Sequence, residues 1–391
     1  MKALRFLAFK QLVHHPARNV LVMGCLALVV FLPLLGGGLL RRYDHDLHQR
    51  ANATPLVLGK PGNRFDLCLG ALFFRQTHLA PLTMGDLEPW SARQDLVAVP
   101  ISLGATVQGQ PLVGTTPEYF ERRGLGFAQG RLPLKPGEIV LGARVAKSLG
   151  AELGARLRSD PPMGFGLVGN ATQVLVVTGI LQTTHGPDDR AVFGALQTCW
   201  LLDGWLHGHA DAQSIAQDHP EQVLAKAENG VLLSGALVPD QDVAQVATER
   251  LHLHADPASL PISAILLWPA SDKVLTIVQA DTNAQGLLSA LRPTQVVDDL
   301  LALTLRIKSL IDRLIWLLGL GMALLFLVVC VLSAQLRAGE LRTLARMGAR
   351  PGFATGLLAT EAALLGLGAI AVAALAAALA LRLLPDLVHV L

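Results

Sequence analysis

Three long runs without a charged residue constrain this chain more than any other feature. They cover residues 19–40, 314–336 and 362–381, so each run has 20 or more residues. A helix of about 20 apolar residues crosses the ~30 Å hydrocarbon layer of a bilayer. The sequence therefore predicts three transmembrane helices.

The overall composition agrees with a membrane protein. The chain is 52% hydrophobic and 16% charged, whereas a soluble domain has about 25% charged residues. Its formal net charge of +2 over 391 residues is too small for a nucleic-acid-binding surface. We therefore expect the lipid bilayer as a partner and no nucleic acid.

The first run is an uncleaved anchor rather than a signal peptide. A cleavable signal has about 7–15 apolar residues followed by small residues at a cleavage site. Here the run has 22 residues and ends at Leu40, before a pair of arginines. We expect this segment to remain in the protein as the first transmembrane helix.

The distribution of basic residues predicts the orientation. Residues 1–18 contain four basic residues and no acid, and the short link 337–350 contains four arginines against Glu340. Short basic segments remain on the cytoplasmic side of a membrane. This places the N-terminus and the link in the cytoplasm and residues 41–313 outside.

The long segment between the first two runs mixes two kinds of local pattern. Short apolar stretches bounded by Gly, Pro and polar residues indicate strands, and they lie at 97–103, 106–113, 138–141, 173–181 and 263–267. Apolar spacing near 3.6 indicates helices, at 142–150, 241–251 and 282–291. We therefore predict an α-helical membrane protein with a large α+β extracytoplasmic domain between helices 1 and 2.

The predicted organisation has seven parts. In chain order they are a cytoplasmic amphipathic helix (1–18), transmembrane helix 1 (19–40), an external domain with stalk helices (41–313), transmembrane helix 2 (314–336), a cytoplasmic link (337–350), transmembrane helix 3 (351–381) and a short external tail (382–391).

Several motifs in this arrangement resemble one family. The link 337–349 reads RAGELRTLARMGA, and residues 361–366 read EAALLG. In the outer segment, GTTPEYF (114–120) is followed by GR (130–131), EIVLGARVA (138–146) and LG (149–150). The order of these motifs is similar to that in permeases of MacB/FtsX-type ABC transporters, the mechanotransmission class. The outer segment would then be a MacB-like periplasmic core domain.

The resemblance implies a function and a set of partners. It implies a permease subunit in the bacterial inner membrane, paired with a second permease copy and with a separate ABC ATPase. The chain has no G-x-x-x-x-G-K-[ST] motif, so ATP and Mg²⁺ would bind to that ATPase. We expect no enzyme activity or cofactor in this chain. The cargo would be lipophilic or peptide-like, for export or extraction, with a periplasmic adaptor or lipoprotein as a further partner. The alternative is a non-transporting, FtsX-like mechanotransmitter that regulates a periplasmic partner.

The resemblance also assigns site residues. The ATPase-coupling positions would be Glu340, Arg342, Arg346, Gly348 and Ala349. The alternative for these arginines is binding to lipid phosphates. A fourth span, present in the family, has no counterpart here, so we expect it to be lost, truncated or supplied by another chain.

Three further features of the sequence are an ionisable residue near a span, a pair of cysteines and two pairs of histidines. Glu361 is an ionisable residue at the edge of the third span, and such residues are functional candidates, although it could also reach the interface. Cys68 and Cys199 both lie in the external segment, where a disulfide between them is left open. The pairs His207/His209 and His252/His254 lack any accompanying H-E-x-x-H or C-x-x-C motif, so we expect no metal site.

Overall fold

The computed structural model describes residues 2–14, 16–75, 80–161, 172–208, 223–227, 230–233, 241–242, 251–253, 255–336, 338–348 and 352–383. The chain divides into two compact units. One unit, the helical unit, comprises Met1–Leu47 and Leu300–Leu391. The other, the outer domain, comprises His48–Asp299.

The helices and strands are numbered along the chain. The helices are α1 (Lys2–His14), α2 (Pro16–Asn52), α3 (Arg64–Phe73), α4 (Met84–Ser91), α5 (Pro117–Arg123), α6 (Ala143–Leu149), α7 (Leu196–Leu202), α8 (Asp272–Gln285), α9 (Pro293–Leu336), α10 (Ala338–Arg346) and α11 (Phe353–Leu383). The strands are β1 (Leu56–Gly59), β2 (Leu82–Thr83), β3 (Leu96–Ile101), β4 (Thr106–Val107), β5 (Gln110–Thr115), β6 (Phe127–Gly130), β7 (Glu138–Leu141), β8 (Arg156–Arg158), β9 (Gln173–Leu181), β10 (Val192–Ala195), β11 (Leu206–Gly208), β12 (Val223–Ala227), β13 (Gly230–Leu233), β14 (Gln241–Asp242), β15 (Leu251–Leu253), β16 (Pro261–Ile262), β17 (Ala264–Pro269) and β18 (Ser289–Leu291).

Among the described residues, three helices, α2, α9 and α11, are long and apolar enough to cross a membrane, which agrees with the predicted three. Few residues of their apolar windows are buried, as expected for side chains that face lipid. Where α2 and α11 meet, Ala27 packs against Ala369 and Ala373. Small residues of this kind let two membrane helices approach closely.

The outer domain contains two main sheets. The first sheet is antiparallel, with strand order β18-β1-β17-β3. Its strands come from the beginning and the end of the domain sequence. The second sheet is mixed, with strand order β14-β9-β7-β10-β5-β4, and β6 and β8 also pair with β9. The α+β class predicted for this segment is therefore confirmed.

A shared core joins the two sheets. Buried side chains of the first sheet, such as Leu266, belong to the same cluster as Val113 and Phe193 of the second sheet. The ring of Phe193 contacts the rings of Tyr119 and Phe120 from α5, with centroids 5.7 and 5.5 Å apart. Aromatic rings contribute large buried areas to such cores, so α5 is fixed between the sheets.

Three local predictions differ from the structure. The stretch 106–113 is a hairpin rather than one strand, because Gln108 and Gly109 both have positive φ (50° and 75°) and form a tight turn between β4 and β5. The helix predicted over 282–291 is wrong, because α8 ends at Gly286 with φ 70° and β18 follows. The helix predicted over 241–251 is wrong at its two ends, which are β14 and β15; residues 243–250 lie outside the described residues.

One ion pair joins two of the sequence motifs. The carboxylate of Glu138, in the EIVLG motif, accepts hydrogen bonds from Nη1 and Nη2 of Arg131 at 2.8 and 2.7 Å. It also accepts from the backbone N–H of Leu134 and Lys135. The hydrogen bonds from Arg131 are the largest cause of a pKa for Glu138 below its ordinary value of 4.5. The pair therefore stabilises the turn that leads into β7.

This pair predicts an acid dependence of stability. Because the pKa of Glu138 is lower in the folded chain, its stabilising effect is complete above pH 4.5 and is lost as the pH falls through the folded-state pKa. Glu138→Gln should therefore lose less stability than the wild type on acidification, as measured by thermal unfolding of the full chain in detergent. Glu121→Gln, at an exposed position of α5, controls for the loss of one negative charge. An unchanged acid slope in Glu138→Gln would contradict the prediction.

Candidate functional site

The short helix α10 carries most of the predicted coupling residues. Arg342 and Arg346 are four residues apart and exposed, so they lie on one face of the helix. Glu340 belongs to the same helix. The two arginines therefore form an exposed basic face.

The end of α10 is set by a glycine. Gly348 has a φ of 92°, a backbone conformation that glycine adopts most readily. Just before it, the backbone N–H of Met347 donates to the carbonyl of Thr343 at 3.0 Å. The positive φ of Gly348 thus gives a physical reason for the end of α10. Ala349 lies outside the described residues.

Glu361 lies inside the helical unit. Its exposed fraction is 8%, and it lines a cavity of about 30 Å³ with Arg18 and Asn19 of α2 and Cys330 of α9. The side chain of Asn19 donates to the carbonyl of Leu12 at 2.8 Å. A cavity of this size that carries polar groups has room for a water molecule. Residues of three helices, including two of opposite charge, therefore meet at this position.

A second cluster of polar residues, which the sequence did not predict as a site, lies in the outer domain. At the end of α2, the Arg50 guanidinium donates to both oxygens of Asp188, at 2.5 and 3.0 Å, and to the Tyr119 hydroxyl at 2.9 Å. Its Nε donates to the carbonyl of Leu72 at 2.8 Å. The Tyr119 hydroxyl also donates to Asp188 at 2.7 Å. We call Arg50, Asp188 and Tyr119 the Arg50 anchor.

The anchor is buried. The exposed fraction of Arg50 is 7% and that of Asp188 is 3%. Removing two charges from water is costly unless each is paired and hydrogen-bonded. Burial alone would raise the pKa of Asp188, but the charge and hydrogen bonds of Arg50 outweigh it and hold this pKa below its ordinary value of 3.8. Asp188 is therefore a carboxylate at neutral pH.

The turn that carries Asp188 is positioned by a close approach of the backbone. A Cβ atom at Gly142 would lie 2.2 Å from the carbonyl oxygen of Asp188, so only glycine fits without a shift. The Gly142 N–H also donates to the carbonyl of Ala191 at 2.9 Å. The neighbouring Asp189 accepts from the backbone N–H of Thr184 and His185. The glycine of the EIVLG motif thus makes room for the anchor.

Two more side chains bind the end of α2. Nη2 of Arg123 donates to the hydroxyl of Thr54, and the Arg123 guanidinium lies 5.7 Å from the ring centroids of both Tyr119 and Trp268. The indole N–H of Trp268 donates to the carbonyl of Ala53 at 3.0 Å. Cation–π contacts of this kind stabilise a partly desolvated arginine. Residues 50–54 are therefore bound from several sides.

The structure does not bring together the two cysteines for which a disulfide was left open. Cys68 of α3 packs against Leu72 and Val296, whereas Cys199 of α7 belongs to another cluster, with Leu112. Both thiols are free and buried. Burial raises the pKa of each thiol to about 12. Both are therefore protonated at neutral pH and act as small apolar side chains.

The histidine pairs are partly described. Antiparallel pairing of β11 with β15 places His207 opposite His252, while His209 and His254 lie outside the described residues. Within the described ranges, no group of three or more His, Cys, Asp or Glu residues is arranged to hold a metal ion. The expectation of a chain without a metal site stays a prediction.

Comparison with known proteins assigns the chain to a family. A family model described as the MacB-like periplasmic core domain matches residues 21–237, more than half of the chain. The chain belongs to this family. The resemblance to MacB/FtsX-type ABC permeases inferred from the sequence motifs is thereby confirmed. The match to the MacB-like periplasmic core domain includes all three residues of the Arg50 anchor.

A comparison with solved structures finds two weakly similar domains. The periplasmic region of MacB from Actinobacillus actinomycetemcomitans has 12% identity and a TM-score of 0.36, over 65% of this chain and 97% of that chain. The extracellular domain of the noncanonic ABC-type transporter YknZ from Gram-positive bacteria has 9% identity and a TM-score of 0.31, over 60% of this chain and 98% of that chain. A comparison with curated protein sequences finds no significant match.

The Arg50 anchor predicts a large loss of stability when its carboxylate is removed. Asp188→Ala leaves the Arg50 charge buried without its carboxylate partner, which costs about 3–5 kcal/mol. Urea unfolding of the full chain in detergent, followed by tryptophan fluorescence, measures this change.

The control is Asp299→Ala, which breaks the half-exposed ion pair of Arg64 with Asp299 (2.8 Å). An exposed pair of this kind contributes less than about 1 kcal/mol. Equal losses of stability in the two variants would contradict a buried anchor.

Proposed function

We propose that this chain is the transmembrane subunit of an ABC transporter, in which a separate ATPase drives movement of the outer domain. The membership of the MacB-like family carries this proposal, because that family is a permease component of ABC systems. The three membrane-length helices are consistent with it. The movement would serve export or extraction of a lipophilic or peptide-like cargo.

In this proposal α10 is the coupling helix that contacts the ATPase. It lies in the sequence between two membrane-length helices, α9 and α11. Arg342 and Arg346 present two positive charges on an exposed face, which suits binding to carboxylates of a partner. Gly348, with a φ of 92°, follows the end of the helix. The coupling set proposed is Glu340, Arg342, Arg346, Gly348 and Ala349.

The proposal includes an orientation and an assembly. The excess of basic residues in 1–18 and in 337–350 favours a cytoplasmic location for both segments. The protein would then belong to the bacterial inner membrane, and its outer domain would lie in the periplasm. Two permease copies and two ATPases would form the working unit, with a periplasmic adaptor or lipoprotein as a further partner.

A non-transporting mechanotransmitter is the second candidate function. The Arg50 anchor favours it, because a buried, fully hydrogen-bonded joint at the end of α2 suits transmission of movement to the outer domain. The two candidates differ in what stimulates the ATPase. Stimulation by lipophilic or peptide cargo supports a transporter, and stimulation by a periplasmic protein partner supports a mechanotransmitter.

The proposed coupling helix predicts a specific loss of ATPase binding. Glu340→Arg should abolish co-purification of the partner ATPase, because a positive charge replaces the negative charge that the ATPase surface would contact. Membrane insertion should stay intact. The matched control is Glu121→Arg, the same charge change on the exposed surface of α5, which should co-purify normally.

The variant Arg342→Glu/Arg346→Glu separates the coupling role from lipid binding. If these arginines bind the ATPase, charge reversal removes co-purification in detergent that contains no lipid. If they bind lipid phosphates alone, co-purification is retained and binding to anionic vesicles falls. Normal ATPase binding by both the Glu340 and the double arginine variants would refute α10 as the coupling helix.

A further inference from the structure

Arg123 carries a half-buried positive charge that is not part of the Arg50 anchor. Burial, followed by the charge of Arg50, lowers the pKa of Arg123 to about 10, so it remains charged at neutral pH. Within the described part of the chain, its Nε and Nη1 are buried and have no hydrogen-bond partner. An unsatisfied buried donor is costly and calls for an explanation.

The placement of Arg123 connects it to Asp188 through Tyr119. Arg123 and Tyr119 are four residues apart on α5, and the guanidinium lies against the Tyr119 ring. The hydroxyl of that ring donates to Asp188 at 2.7 Å. The charge of Asp188 is among the influences that raise the pKa of Arg123. Arg123 is therefore the second cation within electrostatic range of this carboxylate.

The two arginines differ in the element that carries them. Arg50 lies in the last turn of α2, and Thr54 follows the helix. Arg123, Tyr119 and Asp188, in contrast, lie further along the chain, in the outer domain. Displacement of this end of α2 would remove Arg50 from Asp188 and, in the same step, Thr54 from Arg123. It would leave one negative and one positive group together, and these neutralise each other.

We propose that Arg123 is a reserve partner for Asp188, so that the Arg50 anchor works as a latch with two paired states. In the closed state Asp188 pairs with Arg50, and Arg123 is bound to Thr54. In the released state Asp188 pairs with Arg123, so no buried charge is left alone. The latch lowers the free energy needed to release the end of α2 and does not weaken the closed state. This inference rests on the proposed movement of the outer domain, and Arg123 is a positioning residue in it.

Amide hydrogen exchange of the full chain in lipid nanodiscs tests the latch without the ATPase. Two segments report on it, residues 47–54 at the end of α2 and strand β10, which follows the turn of Asp188. Arg50→Met should speed exchange in 47–54 and leave β10 protected, because Asp188 passes to Arg123. In Arg50→Met/Arg123→Met, exchange of β10 should be roughly tenfold faster or more than the product of the two single effects.

Two further variants show whether an unpaired carboxylate causes the faster exchange of β10 in the double Met variant. Arg50→Met/Arg123→Lys keeps a cation at position 123 and should restore the protection of β10. Adding Asp188→Asn to the double Met variant removes the unpaired charge and should also restore it, whereas a misfolded double variant would not recover.

The proposal is overturned if the two single effects simply multiply, or if neither further variant restores protection of β10. It is likewise overturned if Arg50→Met alone deprotects β10 as strongly as Asp188→Ala. None of these results depends on ATPase binding, so failure of the latch and failure of the proposed function are distinguishable.

Discussion

The buried ion pair between Arg50 and Asp188 is the interaction on which the outer domain depends most directly. A buried charge pair repays its desolvation only when its remaining donors and acceptors are satisfied. Here the guanidinium reaches a carboxylate, a phenol and a backbone carbonyl. An apolar contact would allow the end of α2 to slide, whereas this set of directional bonds specifies one position for it.

The anchor depends in turn on features that carry no charge. Gly142 leaves the space that the backbone of the Asp188 turn occupies. Phe193 packs against Tyr119 and positions α5, the helix from which Tyr119 and Arg123 extend. The hydrophobic core therefore strengthens the polar interactions of the anchor, because it keeps three ionised or hydrogen-bonding groups at fixed distances in a medium of low dielectric constant.

The two candidate sites are of different kinds. The basic face of α10 is exposed, and its two arginines extend from a short helix, as suits reversible binding to another protein. The Arg50 anchor is internal, and its partners all come from the same chain. In the proposed function, α10 is moved by the ATPase, and the Arg50 anchor transmits this movement to the outer domain. A latch at the second site would set how easily that delivery occurs.

Much of the architecture follows from the sequence alone, because hydrophobic patterning is a local property. Three charge-free runs long enough to span the ~30 Å hydrocarbon layer predict three membrane helices, and motifs such as EIVLG and GTTPEYF indicate the family of the outer domain. The hairpin at Gln108 and strand β18 differ from the predicted elements, because positive φ at Gly109 and Gly286 ends each element although the apolar pattern continues. The anchor lies beyond any such pattern. Arg50, Tyr119 and Asp188 are far apart in the chain, and single polar residues at those positions are typical of a helix end, a core helix and a turn. Only the tertiary structure placed them in one buried space, where the cost of an unpaired charge makes each of them depend on the others.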